Sequence, residues 1–262
     1  MKYYSLFLIA FFFLLEACNA PVKSSPDKNV AREIQQEYPQ TIQFTSLDSV
    51  MISANLYQID EKSPFILLCH QARFNKFEYA GIAERLNEMG FNCLAIDQRS
   101  GGPIGNTQNQ THLNALKKGK AVSYLDAEQD IQAAIQYIGK TYNQKVILWG
   151  SSYSSTLALY LAAKNDAVKA VISFSPGNYF ADEKGSLVDI LSEFKKPMFV
   201  TSSRQEADGV KTLLEKHKML ENQTQFIPNG PGQHGSRNLW KNQTGGEEYW
   251  NAITVFLKQF KQ

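Results

Sequence analysis

Several patterns that mark particular classes of protein are missing from this chain. Its 262 residues include three cysteines and four histidines, and neither residue type recurs at the spacing of metal ligands. The net charge is +2 without a long basic run, so nothing indicates binding to nucleic acid. We find no internal repeat and no apolar run long enough to span a bilayer comfortably. What remains is the composition of an ordinary globular protein, for which we expect no metal and no cofactor.

The first eighteen residues do not look like part of a fold. Lys2 is followed by an apolar run over residues 6–15 and then by Leu15-Glu16-Ala17-Cys18. A charged start, a short apolar stretch and small residues describe an export signal. The last four residues resemble the bacterial lipobox, although a glutamate is unusual at its position. That resemblance implies lipidation of Cys18; an ordinary cleaved signal with an incidental cysteine is the alternative.

We therefore divide the chain into three parts. Residues 1–18 are the signal with its lipobox-like cysteine, residues 19–39 are a polar tether, and residues 40–262 are a single domain. The expected location is the bacterial cell envelope, on a lipid anchor facing the periplasm or the exterior. The sequence does not indicate an oligomeric state.

Two kinds of strand pattern follow the tether. Residues 41–44 and 51–57 alternate apolar and polar side chains, which predicts a half-exposed antiparallel pair. Later runs are continuously apolar, as in parallel strands covered on both faces. They cover residues 65–69, 91–96, 146–149, 168–174 and 198–200, and a last strand is expected at 225–227. Cys69 and Cys93 lie within such runs and are expected to be buried free thiols.

Helical patterns separate these strands. We expect helices over residues 79–89, 125–138, 210–220 and 247–260, the first two ending at Gly90 and Gly139. Residues 101–120 and 176–194 are expected to be excursions over the carboxyl end of the sheet. A hairpin followed by alternating strands and helices predicts an α/β fold: a mostly parallel, doubly wound sheet of about eight strands with helices on both faces.

The most informative segment is Gly150-Ser151-Ser152-Tyr153-Ser154, where an apolar strand runs into a helix. It has the form G-x-S-x-G, with Ser154 in the last position. Such a turn exposes the hydroxyl of its central serine at a helix N-terminus, where free backbone N–H groups stabilise negative charge. The pattern predicts Ser152 as a nucleophile, and a base and an acid elsewhere in the chain.

His234 is the expected base. It lies in a glycine-rich loop between the last strand and the last helix, where packing gives a histidine little reason to be. The acid should follow the strand at 198–200, and two residues qualify there. Glu206 is favoured, and Asp208 is the alternative, although Asp208 is also placed to cap the next helix. The acid would fix the histidine tautomer and stabilise the imidazolium.

Donors for an oxyanion should come from two places. The backbone N–H of Tyr153 is one, because it follows the nucleophile. The second is expected in the loop after the third strand, where His70 is followed by Gln71 and Ala72. We assign it to the Ala72 N–H; Gln71 belongs to the same loop and could alter it or hydrogen-bond into the pocket.

With nucleophile, acid and histidine in this order, the chain resembles the α/β-hydrolases over about residues 40–262. It is nearest to the dienelactone hydrolase-like and small serine esterase branches. The segment from Asp97 to Gly101 is similar to the family's D-x-R-G-x-G, in which the aspartate is structural. Two positions depart from the family pattern: Gln71 replaces the glycine of His-Gly, and Ser154 replaces the last glycine of the elbow.

The function expected from these residues is hydrolysis of a small carboxylic ester through an acyl-Ser152 intermediate. Thioester, lactone and peptide bonds remain open, because fold and triad do not choose among them. Arg73, Phe74 and Tyr179 adjoin the loops that frame Ser152 and are the candidate substrate contacts. The alternative is a non-catalytic ligand-binding lipoprotein on a hydrolase scaffold, which the departures at Gln71 and Ser154 keep open.

Overall fold

The computed structural model describes residues 38–261, which form one eight-stranded sheet. The strand order is β1-β2-β4-β3-β5-β6-β7-β8. The strands are β1 (Gln40–Thr45), β2 (Met51–Tyr57), β3 (Phe65–Cys69), β4 (Asn92–Ile96), β5 (Val146–Ser151), β6 (Val168–Phe174), β7 (Met198–Thr201) and β8 (Gln223–Phe226). The signal, most of the tether and the lipidation predicted at Cys18 lie outside the described residues.

Eight α-helices are interspersed among these strands within residues 38–261. They are α1 (Ala80–Glu88), α2 (Gln110–Lys117), α3 (Glu128–Tyr142), α4 (Tyr153–Lys164), α5 (Ala181–Lys184), α6 (Leu187–Ser192), α7 (Ala207–Leu213) and α8 (Gly246–Leu257). Short 3-10 turns cover Lys76–Tyr79, Leu125–Ala127, Arg204–Glu206, Gly235–Leu239 and Lys258–Phe260. None of the helices in this part of the chain is both long and apolar enough to cross a bilayer.

Strand pairing follows the two sequence patterns. β1 pairs with β2, and β2 with β4, in antiparallel fashion. β1 keeps the alternating half-exposure that its sequence predicts, but the half-exposure predicted for residues 51–57 is wrong, because β2 is buried at every position after Met51. The strands β3 to β7 pair in parallel and are almost wholly buried. Their runs are continuously apolar because helices cover both faces of the sheet. The predicted α/β architecture is confirmed.

Two apolar layers enclose the sheet. On one face, α3, α4, α6 and α7 pack their apolar residues against alternate strand residues such as Leu67 and Leu148. On the other, α1 and α8 cover the intervening positions, including Ile66 and Trp149. Side chains of successive strand residues point to opposite faces, so each central strand contributes to both layers. Cys69 and Cys93 are buried free thiols within these strands.

Several helix boundaries differ from the prediction. α3 passes through Gly139 and ends at Tyr142, where Asn143 takes the left-handed conformation at φ +53°. α7 ends at Leu213, not at residue 220. Beyond this end, the side-chain oxygen of Gln223 accepts the Leu220 N–H and contacts the His217 ring, bonds that compete with further helix. The two excursions contain short helices, α2 in the first and α5 and α6 in the second.

A buried ion network fixes the hairpin to the rest of the sheet. The guanidinium of Arg99, whose side chain is 1% exposed, pairs with Asp130 and Asp48 at 2.8 Å each. The Arg99 backbone N–H also donates to Asp130. Asp48 lies in the β1–β2 turn and Asp130 on α3, so one side chain joins three parts of the fold. A nearby buried pair, Lys76 with Asp97 at 3.0 Å, gives Asp97 the structural role that the family resemblance implies.

We expect Asp130→Ala to lower the free energy of unfolding by about 3–5 kcal/mol, because it leaves a buried guanidinium without the more deeply buried of its two partners. Urea unfolding measures this. The control is Asp166→Ala, which removes a fully exposed carboxylate 3.8 Å from Lys196 and should change the free energy of unfolding by less than about 0.5 kcal/mol. Equal losses in the two variants would show that the Arg99 network contributes no more than a surface pair.

Candidate active site

The carboxyl ends of the parallel strands bring the predicted residues to one edge of the sheet. Cys69 at the end of β3 pairs in register with Gly150 of β5. Next along the edge, Phe174 of β6 pairs with Ser151 on one side and with Thr201 of β7 on the other. The loops that follow these strands therefore emerge side by side, as in other open α/β sheets.

The turn from β5 into α4 is tightly constrained. A Cβ on Gly150 would lie 2.4 Å from the Ser154 carbonyl oxygen, so only glycine allows this close approach. Ser152 has φ +59° and ψ −126°, a conformation that costs a residue with a side chain free energy. Its N–H donates to the Phe174 carbonyl at 2.8 Å. The backbone thus holds the Ser152 side chain at the tip of the bend.

Ser154, which replaces the last glycine of the motif, fits within this turn. Its side chain is fully buried. The hydroxyl oxygen accepts the Ser151 N–H at 2.9 Å and lies 2.8 Å from the Cys69 carbonyl, to which it donates. The hydroxyl therefore links the elbow to the end of β3. This departure from the family pattern adds hydrogen bonds and leaves Ser152 in place.

Three side chains form a hydrogen-bonded chain at this edge. The Ser152 hydroxyl lies 2.7 Å from His234 Nε2. The other ring nitrogen, Nδ1, is hydrogen-bonded to Glu206 Oε1. In this arrangement the histidine can accept the serine proton at Nε2 while the carboxylate holds Nδ1–H and orients the ring. Elements far apart in sequence supply the three groups: the elbow, the loop before α8, and the turn after β7.

Glu206 is held by more than the histidine. Its Oε2 accepts bonds from the Ser203 N–H at 3.1 Å and the Ser203 hydroxyl at 2.8 Å, and from the Ser175 hydroxyl at 2.9 Å. Burial tends to raise the pKa of this carboxyl, but the hydrogen bonds from His234, Ser203 and Ser175 outweigh it and lower the pKa to about 2. The carboxylate is therefore ionised and fixed in position.

Asp208, the alternative acid, lies elsewhere. It is in the first turn of α7, exposed to solvent, and pairs with Lys211 at 2.9 Å. It also does not cap a helix, since the capping box at this point is formed by Ser203 and Glu206. The Ser-x-x-Glu spacing of that box is a signal in the sequence that distinguishes the two carboxylates.

The residues expected around the oxyanion differ in their surroundings. Tyr153 is the first residue of α4, and the first N–H groups of a helix have no partner within it. Ala72 is half-buried in the loop after β3. The Gln71 N–H, by contrast, donates to Glu78 Oε2 at 2.7 Å. Its side-chain oxygen is buried without a hydrogen-bond partner among the described residues.

The three candidate substrate contacts differ in their surroundings. Tyr179 is exposed; partial burial of its phenol and the negative charge of Glu206 raise its pKa, against the effect of the Ser152 side chain. The Phe74 ring is half-buried and stacks on Trp240 with 6.0 Å between centroids. Arg73 is exposed and has φ +65°.

Sequence reasoning missed the residues that brace this site. Ser175 receives the Gly235 N–H at 2.9 Å and donates to Glu206, so it connects the histidine loop to the acid. Arg204 donates to the Pro228 carbonyl through its side chain and to the Pro231 carbonyl through its backbone. No local motif marks either residue, because both act between segments that are distant in sequence.

A cleft of about 770 Å³ opens beside the acid and the histidine. Arg237 belongs to its lining, and the Nε of this side chain is buried without a hydrogen-bond partner in the described part of the chain. The remaining lining residues are Ser203, Arg204, Gln205, Glu206, Pro231, Gly232, Gln233 and His234. Within residues 38–261, no group of three or more His, Cys, Asp or Glu side chains could hold a metal ion.

The eight-stranded sheet, the strained elbow and the serine–histidine–carboxylate chain define an α/β-hydrolase. Comparison with known families agrees with this class. Residues 60–225 match the model of the family Hydrolase_4, described as serine aminopeptidase, S33. The match covers more than half of the chain, and the protein belongs to this hydrolase family.

Individual proteins with lower sequence similarity can also be compared with this chain. The quorum-quenching protein AidA of Acinetobacter baumannii is 29% identical over 147 residues, which cover 53% of this chain and 44% of that protein. The chain thus spans less than half the length of this curated relative. An esterase of Pyrococcus furiosus superposes with a TM-score of 0.66 at 19% identity, covering 84% of this chain and 92% of that one. A dienelactone hydrolase of Anabaena variabilis gives 0.62 at 17% identity, covering 85% of this chain and 100% of that one.

Glu206 should make stability depend on pH. An ordinary glutamate has a pKa of 4.5, whereas that of Glu206 is lowered to about 2. The carboxylate therefore stabilises the folded protein above pH 4.5, and this contribution is lost as the pH falls through about 2. We expect the free energy of unfolding of wild type, relative to Glu206→Gln, to decrease when urea unfolding is repeated from pH 6 down to pH 3. A difference that stays constant over this range would contradict the lowered pKa.

Proposed function

We propose that this hydrolase cleaves carboxylic esters, or closely related acyl bonds, of a small-molecule substrate through an acyl-Ser152 intermediate. The observation that carries the proposal is the hydrogen-bonded chain from the Ser152 hydroxyl to His234 Nε2 and from Nδ1 to Glu206. A serine hydroxyl is a weak nucleophile until a base accepts its proton. Here the base is in contact with the hydroxyl and is itself oriented by a fixed carboxylate.

The reaction follows from these contacts. His234 Nε2 takes the proton of Ser152 as Oγ attacks the substrate carbonyl carbon, and the imidazolium forms beside ionised Glu206. The C–O bond to the leaving alcohol then breaks, and the alcohol takes the proton from Nε2. A water molecule repeats the sequence on the acyl-enzyme: His234 accepts its proton, the hydroxide oxygen joins the acyl carbon, and Ser152 recovers its hydrogen as the acid leaves.

The negative charge of the tetrahedral intermediate needs donors near Ser152. The Tyr153 N–H at the start of α4 is one, and we assign the second to the Ala72 N–H in the loop after β3. The side chain of Tyr153 supports this edge from below, because its hydroxyl contacts the Gln98 amide at 2.7 Å and the Ser100 hydroxyl at 2.6 Å. Loss of one oxyanion donor typically costs about 100- to 1000-fold in rate.

The choice of ester rests on the surroundings of Ser152 and on the relatives. Two proteins of similar structure are an esterase and a dienelactone hydrolase, whereas the family model is described as a serine aminopeptidase. Phe74 and Tyr179 supply an aromatic rim suited to a modest acyl or aryl group, and exposed Arg73 is free to attract a substrate carboxylate. Thioesters, lactones and peptides belong in the same substrate screen, and the mechanism requires no cofactor.

We also propose that the enzyme works in a bacterial cell envelope. The support is the sequence alone: the signal over residues 1–18, the lipobox-like Cys18 and the polar tether to residue 39. A lipid on Cys18 would anchor the domain to a membrane, facing the periplasm or the exterior, through a chain of about twenty residues.

The nucleophile is tested by Ser152→Ala. We expect the purified domain, residues 30–262, to react with a fluorophosphonate probe and to hydrolyse p-nitrophenyl esters, and the variant to lose both. Turnover should fall by about 10⁶-fold, because the variant lacks the hydroxyl that forms the acyl intermediate. Ser123→Ala, at an exposed serine, is the matched control and should behave as wild type.

Each other outcome of this labelling experiment has a definite meaning. Labelling that persists in Ser152→Ala would place the nucleophile elsewhere. A folded wild-type protein that neither reacts with the probe nor turns over any acyl substrate would contradict the proposed function and favour a ligand-binding protein on a hydrolase scaffold.

The acid is tested by a pair of isosteric changes. We expect Glu206→Gln to lower kcat by about 10⁴-fold, because an amide stabilises neither the imidazolium nor the required tautomer. Asp208→Asn should leave kcat unchanged, since this carboxylate points to solvent. Steady-state kinetics on one p-nitrophenyl ester decides between them, and the reverse result would assign the acid to Asp208.

A further inference from the structure

A second carboxylate lies beneath the candidate active site and takes no part in the chain of serine, histidine and Glu206. Glu78 belongs to the 3-10 turn before α1 and is 1% exposed. Burying a carboxyl away from water costs free energy unless its oxygens are hydrogen-bonded. The hydrogen bonds of the Glu78 carboxyl therefore indicate what this residue does.

Each oxygen of the Glu78 carboxyl contacts a different loop of the site. Oε2 accepts the Gln71 N–H at 2.7 Å, in the loop that carries Ala72. Oε1 accepts the hydroxyl of Ser151 at 2.9 Å, the residue immediately before Ser152. The Ser151 oxygen in turn accepts the Ser236 N–H at 2.9 Å, two residues after His234. One carboxyl thus connects the three segments that carry the oxyanion amide, the nucleophile and the base.

Glu78 is itself fixed from the opposite side. The indole N–H of Trp240 donates to its backbone carbonyl at 2.8 Å. The hydroxyl of the neighbouring Tyr79 donates to the Cys69 carbonyl at 2.8 Å. Burial raises the pKa of the Glu78 carboxyl to about 7, against the bonds from Gln71 and Ser151 and the nearby charge of Arg237. Keeping the ionised carboxyl of Glu78 buried therefore reduces the stability of the folded protein.

We propose that Glu78 is a positioning residue of the hydrolase, which holds the Ala72 amide, Ser152 and His234 in their productive arrangement. It touches none of the reacting atoms and acts through Gln71, Ser151 and Ser236. This inference rests on the proposed function, since it assigns a role within the same reaction. A displacement of about 1 Å in such an arrangement costs about 100-fold in rate.

Two substitutions remove the contacts of Glu78 in steps. Glu78→Gln keeps an oxygen for the Gln71 N–H but cannot accept the Ser151 hydroxyl with its nitrogen. Glu78→Leu is of similar size and removes both bonds. We expect kcat to fall in the order wild type, Gln, Leu, by about 100-fold in the last, while KM changes little because the substrate contacts are untouched. Glu84→Gln, at an exposed glutamate on α1, is the matched control.

Fluorophosphonate labelling separates positioning from a loss of folded protein. In the Glu78 variants the rate constant of labelling should fall in parallel with kcat, while every folded molecule is eventually labelled. A fall in final stoichiometry with an unchanged rate constant would overturn the proposal, because it would mean that Glu78 serves stability alone. A rise in KM at constant kcat would overturn it as well.

Ser151→Ala provides a variant that leaves Glu78 itself in place. It removes the bridge to Ser236, so kcat should fall, and its effect should not add fully to that of Glu78→Gln, because both changes break the same connection. Full additivity in the double variant would contradict a shared bridge. This measurement keeps the proposal testable if Glu78→Leu fails to fold.

Amide hydrogen exchange tests the connection without any activity. We expect the amides of Gln71 and Ser236 to exchange faster in Glu78→Gln than in wild type or Glu84→Gln, with the amides of β5 and β6 unchanged. Unaltered exchange in both segments would overturn the proposal even in an active enzyme. If the wild type neither labels nor turns over substrate, the proposed function fails, and exchange alone decides whether Glu78 holds the three loops.

Discussion

The contact between the end of β5 and the start of α4 is the constraint on which the rest of the site depends. Gly150 lets the helix backbone approach to a distance that any side chain would prevent. It also places Ser152 at φ +59°, where the bond from its N–H to the Phe174 carbonyl holds the residue, while the buried Ser154 hydroxyl ties the neighbouring Ser151 N–H to the end of β3. The same approach directs the N-terminus of α4 at the space above Ser152. The close approach of β5 and α4 thus determines both the position of the Ser152 hydroxyl and the electrostatic environment around it.

The fold was largely predictable because parallel strands that are buried on both faces have continuous apolar sequences. Strands β3 to β7 are covered on both faces, so their runs are uninterrupted and readily located. The edge strand β8 is polar at several positions and begins at Gln223, two residues before the expected start. Helix ends were predicted less well, because side-chain contacts compete with a helical pattern: the Gln223 side chain bonds to the backbone of residue 220, and α7 ends at Leu213.

The residues of the site were likewise predictable where a local sequence motif marks them and not where their contacts are distant in sequence. The elbow has a local motif, and the order of nucleophile, acid and histidine along the chain narrows the search for the rest. The Ser203–Glu206 box also lies within one turn and was open to detection. Ser175 and Glu78 have no such signature, since each joins loops that meet only after the sheet has formed. Sequence reasoning finds the groups that react more easily than the groups that hold them.

Arg204 connects the acid turn to the histidine loop through the carbonyls of Pro228 and Pro231, and Ser175 adds a second link through Gly235. The histidine loop is fastened to the elbow as well, because the Ser236 N–H donates to the Ser151 hydroxyl, in addition to the contact between His234 and Ser152. The segments that carry the base, its carboxylate and the nucleophile are therefore all joined by hydrogen bonds outside the reacting groups. A substrate thus meets a serine–histidine–carboxylate chain whose spacing is already set by its surroundings.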